Sequence, residues 1–421
     1  MNIIEKLNAK SKEERLENLR CIIIENEKRN IRPNVRLFDA NNHIHTFYSF
    51  SPYSPTLAAY KAYEAGLELA GIVDHDTLAG VKEFHEAANI IGIASTGGVE
   101  MRVKFPPFQT TINNPDQVGC MYMVAHGVPK EKIDLLNEYL EPFRAHREKR
   151  NQLMISNINA LIRPLNIEID YDKDVRPLSK VLEGGTVTER HLLFALAKAI
   201  LNHFKFREDL ITFIEKTFEI NLNNTQKERL INIDNPWRSY DLMAALKTNT
   251  SKYYVEANEE MPQASDFVQK TITFGAIPAY AYLGDIESSV TQDKRSQSFE
   301  DSYLDELMVE LKKIGVEAIA YMPTRNTDKQ IKRVQELAKI HHFMEISGED
   351  INQPRQLFTC DAYQKQNHHH LIESAWALIG HEQLSSKEPY QGWTSILYQK
   401  LSIEQRIQYF AQIGRKTRNQ K

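Results

Sequence analysis

Three short pieces between residues 37 and 100 constrain this chain more than anything else in it: His43-Ile44-His45-Thr46, Asp74-His75-Asp76-Thr77 and Gly98-Val99-Glu100. Each falls at the end of an apolar run that reads as a β-strand. Val35 to Asn41 leads into the first and Leu69 to Val73 into the second. Ile91 to Thr96 leads through a turn at Gly97-Gly98 into an alternating stretch, Val99 to Val103. Residues i and i+2 of a strand share a face, so His43 and His45 point the same way. Helices separate the runs. Ser54 is a candidate cap for one with Pro55 at its first position and Gly66 at its end, and a second extends from Leu78 to about Ile91. This rhythm predicts parallel strands with crossover helices. In such folds the residues at and just beyond the carboxyl ends of strands carry the chemistry. Imidazoles and carboxylates gathered at one mouth predict a metal site.

Beyond residue 100 the rhythm breaks off and later resumes. Pro106-Pro107 opens an irregular loop to Gln117, and a strand from Val118 to Ala125 ends at His126-Gly127. From Pro129 to about Phe267 helical patterns dominate, over Lys130–Arg150, Gln152–Ile162, Glu189–Phe204 and Glu208–Phe218. Strands return at Gly275–Ala281, Val316–Tyr321 and Phe343–Ile346, with helices at Tyr303–Ile314 and Asp328–Ile340 between them. That makes seven strands, a barrel number. Arg144, Arg147 and Arg150 line one helix face; a solvated basic face is the favoured reading over a ridge contacting phosphate or nucleic acid. In the helical tail, His368-His369-His370 reads as a solvated helix start. Consecutive helical residues point about 100° apart, so the three cannot all face one ion.

Composition narrows the classes. The 421 residues carry a formal charge of −4, with 42% hydrophobic and 26% charged residues, so no global attraction to nucleic acid is expected. Cys21, Cys120 and Cys360 are too scattered for a disulfide framework or a cysteine zinc site. The N-terminal residues lack the apolar core of a signal peptide, and no stretch approaches the roughly 20 apolar residues of a membrane span. The expectation is a cytoplasmic protein without a membrane partner.

The motif text, His43-Ile44-His45-Thr46 with Tyr48-Ser49, then Ala70-Gly71-Ile72-Val73-Asp74-His75-Asp76-Thr77-Leu78-Ala79-Gly80, then Gly98-Val99-Glu100, resembles the PHP (polymerase and histidinol phosphatase) superfamily. Arg147 and Arg150 on one helix, followed by Glu189-Arg190-His191-Leu192-Leu193 at the start of another, are similar to the stand-alone members that act on nucleotides or RNA ends. The resemblance spans about 37–350. It implies an α/β fold, a distorted seven-stranded (β/α) barrel with a helical insertion and a helical C-terminal extension. The corresponding organisation is an N-terminal helical segment (1–34), a first barrel part (35–128), the insertion (129–267), a second barrel part (268–355) and the extension (356–421).

By the same resemblance, His43, His45, Glu100 and Asp350 form a first metal site and His75 belongs to another. His126 is a candidate substitute for a histidine expected near Tyr122. Three further departures stand out: Tyr282 where the family has a histidine ligand, Asn352 where it has another, and Phe50 where an acidic residue is common. One or two divalent ions (Mn, Zn or Fe) are therefore expected, in place of three. The implied reaction is hydrolysis of a phosphoester by a metal-activated water. His75, Asp74 and Asp76 are candidates for proton transfer, with a structural role as helix cap or imidazole partner equally open for each aspartate. Arg102, Arg190, His191 and Arg325 are candidate phosphate contacts. The expected partner is a small phosphorylated substrate or a short nucleic acid. The alternatives are a degenerate domain that binds without turnover, or a hydrolase of non-phosphate bonds on the same scaffold.

Overall fold

The computed structural model describes residues 2–204, 207–286, 297–388 and 390–418. Helix α1 (Ile3–Leu7) starts from a capping box between Asn2 and Glu5, and α2 (Lys12–Lys28) from a Ser11 cap. Strand β1 (Asn41–Ile44) begins later than the apolar run suggested. Val35 and Leu37 are exposed, and Phe38 stacks on His369, ring centroids 3.9 Å apart. A short apolar run carries too little periodicity to fix a strand. Next come α3 (Pro55–Glu64), capped by Ser54, β2 (Leu69–His75) and α4 (Val81–Ile91).

Strand β3 (Ala94–Lys104) passes straight through Gly97-Gly98, where a turn was expected. These glycines answer to crowding. A Cβ at Gly97 would lie 2.3 Å from a Val81 methyl, and one at Gly98 would lie 2.4 Å from the Ala125 carbonyl oxygen. Strand β4 (Cys120–His126) follows a loop without a crossover helix and is antiparallel to both neighbours, against the expectation of an all-parallel set.

The long helix α5 (Ile133–Ile162) is continuous through the point where two helices were expected, and Pro142 lies inside it. Then come α6 (Glu189–His203), α7 (Arg207–Thr217), α8 (Asn224–Ile231), α9 (Arg238–Lys247) and α10 (Ala264–Thr273). Alternation resumes with β5 (Ile277–Ala281), α11 (Leu304–Lys313), β6 (Ala318–Tyr321), α12 (Asp328–His341) and β7 (Met344–Ser347). Helices α13 (His370–Lys387) and α14 (Ile403–Arg418) complete the described chain.

The seven strands pair in sequence order, and every pairing except those of β4 is parallel. The sheet nearly closes on itself just past β7. The His45 amide donates to the Ile351 carbonyl at 2.9 Å, and the Ile351 amide donates to the His43 carbonyl at 3.1 Å. The fold is an α/β barrel with helical additions.

Its interior is filled by small and branched residues, among them Val73, Val124, Ala279, Ala318 and Ile346. Trp376 and Ile379 of α13, together with Phe410 of α14, continue that core and form the floor. Glu382 of α13 accepts hydrogen bonds from Thr96 Oγ1 (2.7 Å) and the Gly97 amide (2.8 Å), tying the floor to the lower part of β3. A separate core joins α5 through α9 and takes in Phe50 from the loop after β1. The histidine run before α13 is not simply solvated: His368 is fully buried, and His370 pairs with Glu345 at 3.2 Å. Among the described residues, no helix is long and apolar enough to cross a membrane.

Candidate metal centre

Parallel pairing brings the strand ends to one mouth. His43 stands on β1, His45 directly follows it, and His75 ends β2 level with Glu100 of β3. Asp350 lies three residues beyond β7. His75 Nδ1 is 3.0 Å from Glu100 Oε2, and His45 Nε2 is 3.2 Å from Asp350 Oδ1. His43 Nε2 and His45 Nε2 are each 3.7 Å from Glu100 Oε2. Two overlapping sets, His43/His45/Asp350 and His45/His75/Glu100, each bring one donor atom per residue to within 4.8 Å of the others.

Burial acts on all of these groups, and the neighbours decide the outcome. Burial favours a neutral Glu100, yet His75, His43 and His45 hold its carboxyl down at about 2. Burial opposes a charged His43, yet Glu100 and Asp350 raise its imidazole. For His75 burial prevails and the ring falls to about 3. Burial favours a neutral Asp350, yet His45, His43 and Arg190 together hold its carboxyl well below the usual carboxylate range. His45 Nε2 is buried with no hydrogen-bond partner. A buried nitrogen left bare among carboxylates fits a cation that is shared between them.

The loop after β1 is fixed by Asp74. The Thr46 amide, Thr46 Oγ1 and Ser49 Oγ each donate to its carboxylate at 2.6 Å. Ser49 Oγ also lies 3.4 Å from His45 Nδ1, so this loop braces the His45 ring from behind. Asp76 adopts a left-handed backbone (φ 54°), and its carboxylate sits 2.8 Å from Arg147 Nε. Burial lifts its carboxyl to about 6 although Arg147 opposes the shift.

On the other side of the mouth the positions where the resemblance implied ligands read differently. Val124, not Tyr122, stands level with Glu100, and Tyr122 pairs with Arg102 one pleat higher. Because β4 runs antiparallel, His126 at its carboxyl end lies deeper in the barrel than the cluster. There it lines a smaller cavity with His43 and Glu100, its Nε2 is unpartnered, and burial lowers the ring to about 3. The Tyr282 hydroxyl donates to Asp301 at 2.6 Å, and Asn352 Nδ2 donates to Asp350 Oδ1 at 2.6 Å.

A cleft of about 100 Å3 opens from the cluster toward the helical region, lined by His75, Glu100, Asp350, Arg147, Glu189 and Arg190 among others. Arg190 is largely buried and its Nη1 has no hydrogen-bond partner. Arg102 also lines the cleft, but it is fully buried and bonds Tyr122 (2.9 Å) and Glu189 (3.0 Å). Away from the cleft lining, His191 Nδ1 accepts from the Thr188 amide at 3.0 Å and its ring packs edge-on against Phe50. Arg325 Nε donates to the Leu283 carbonyl at 3.1 Å.

The basic face of α5 is not solvated. Arg147 and Arg150 are buried and, with Arg102, meet Asp76, Glu189 and Glu260 in one ionic network. Sequence reading missed Glu189 and Glu260 as members, because nothing in the local text separates Glu260 from the exposed Glu259 beside it.

Fold and cluster together define an α/β barrel with a candidate metal centre at its mouth. No family model matches the sequence. The chain is 30% identical over 149 residues to the 5'-3' exoribonuclease of Haemophilus influenzae, a match covering 35% of this chain and 47% of that protein. It thus spans about half the length of the curated relative it matches. Among solved structures, a Chromobacterium violaceum amidohydrolase with bound sulfate and no metal superposes with a TM-score of 0.52. The identity is 18%, covering 76% of this chain and 91% of that one. A Bifidobacterium adolescentis protein, provisionally assigned as a metal-dependent phosphoesterase, gives a TM-score of 0.50 at 21% identity, covering 77% and 93%. These two likenesses establish a shared fold.

Proposed function

We propose that the chain is a metal-dependent phosphoesterase of PHP type acting on nucleotides or the ends of short nucleic acids. The observation that carries the reading is the convergence of His43, His45, His75, Glu100 and Asp350 beneath a cleft whose wall presents the Arg190 guanidinium. The mixed imidazole and carboxylate set suits Mn, Zn or Fe. His43, His45 and Asp350 would hold one ion, and Glu100 with His75 a second. Bound there, divalent ions supply Lewis acidity toward phosphoryl oxygens and a nucleophilic water at neutral pH.

The remaining work falls to the chain itself. Asp74 and Ser49 hold the His45 ring, Asn352 holds the Asp350 carboxylate, and Arg190 offers its fork to a phosphoryl oxygen. His75, neutral well below pH 7, is suited to ligation. Asp76, its carboxyl lifted by burial to about 6, is sealed against Arg147 away from the cleft lining, which favours a structural role over proton transfer. The likeness to the Haemophilus influenzae 5'-3' exoribonuclease supports a nucleic-acid substrate.

A second reading, a domain that binds phosphorylated ligands without turnover, is favoured by the Val124 and Ala279 pair, which presents no ligand at the level of Glu100. Elemental analysis, followed by a phosphoester panel run beside His43→Ala and Glu100→Ala, separates the two. Catalysis predicts bound metal and a loss of at least about a thousandfold in both variants. A purified chain without metal that stays inactive after Mn, Zn or Fe is added would exclude hydrolysis.

A further inference from the structure

The ionic network beside the cleft contains three guanidiniums and three carboxylates, and one carboxylate differs from the rest. Arg102 Nη2 lies 3.0 Å and Arg147 Nη1 3.3 Å from the Glu189 carboxylate, and Arg150 Nη2 is in close contact with it. Three arginines thus converge on one side chain. Asp76 and Glu260, which share these arginines, are sealed in. Glu189 is 20% exposed, whereas the other five members are 6% exposed or less. It is also the only carboxylate of the network that lines the cleft.

Glu189 is the first residue of α6, so rotation about its side-chain bonds can carry the carboxylate into the cleft without disturbing the helix backbone. Withdrawal would leave three guanidiniums facing two carboxylates, a buried positive charge without its counter-charge. Phosphoryl oxygens match guanidinium forks at least as well as a carboxylate does. The neighbouring Arg190 adds a donor at the same wall, its buried Nη1 being unpartnered.

We propose that Glu189 is the resident occupant of an anion subsite built by Arg102, Arg147 and Arg150, and that a phosphoryl group of a ligand in the cleft displaces it. The subsite extends the phosphoesterase reading by giving the ligand an anchoring point outside the metal cluster. Glu189 then sets a threshold: anions that match the three-arginine cradle bind, and weaker ones fail to displace the side chain.

The test is calorimetric titration of inorganic phosphate into chelator-treated full-length protein. Glu189→Gln should bind phosphate at least tenfold more tightly than the parent chain. Glu189→Asp, whose carboxylate is drawn back by one methylene, should show a smaller gain and carries the test if the first variant fails to fold. Adding Arg150→Met to either should abolish the gain. Unchanged affinity in both folded variants, or a gain that survives Arg150→Met, overturns the proposal. The measurement needs neither metal nor turnover, so a chain that hydrolyses nothing still tests the displacement, and an active one can still fail it.

Discussion

Two clusters of buried charge meet at one cleft, and they are satisfied in opposite ways. The network of Arg102, Arg147 and Arg150 with Asp76, Glu189 and Glu260 balances cation against anion within the protein. The cluster of His43, His45, His75, Glu100 and Asp350 does not. It gathers five donor groups within a few ångströms and leaves His45 Nε2 without a partner. Both lie where barrel and helical region meet, but only the second is unbalanced as it stands; the first already holds its own counter-charge in Glu189.

Three experiments bear on that contrast, beginning with the largest effect. Removing a guanidinium from the balanced network should be costly whatever else is present. Arg147→Met strands Asp76 and should destabilise the protein by about 3–5 kcal/mol, read by denaturant unfolding with and without added metal. A loss that metal fully restores would mean that the two clusters are one.

The unbalanced cluster should respond to metal. Mn or Zn at a hundred times its dissociation constant should raise stability by about 2.7 kcal/mol in the parent chain and by almost nothing in Glu100→Ala. Equal stabilisation in both would place the ion elsewhere. The smallest effect concerns bracing. Asn352→Ala frees Asp350 Oδ1 from its 2.6 Å hydrogen bond and should weaken metal binding about tenfold, or about 1.4 kcal/mol, measured by competition with a chelator. No change there would mean that Asn352 is packing alone.

The alternation of apolar runs and helices made the barrel legible, because seven strands with crossover helices have few ways to pack. The cluster was legible for the same reason: His45 and His75 lie at strand ends, and parallel pairing sets Glu100, within β3, level with His75. What escaped was whatever depends on partners far apart in sequence. Antiparallel β4 follows from a loop that carries no helix, and it moves His126 one layer down and puts Val124 level with Glu100. Arg147 and Arg150 looked solvated because Glu260, more than a hundred residues away, leaves no local trace of pairing with them. Gly97-Gly98 looked like a turn because only the packed structure reveals Val81 and Ala125 pressing on those positions.

The Glu382 carboxylate that ties α13 to Thr96 and Gly97 has a consequence in time. Chains are made from the N-terminus and fold as they emerge. The histidines of the mouth leave the ribosome early, Asp350 much later, and the floor beneath the Glu100 strand only when residue 382 is free. The fully braced centre therefore cannot exist before α13 has emerged, so an ion held by all five groups could be captured only after that point.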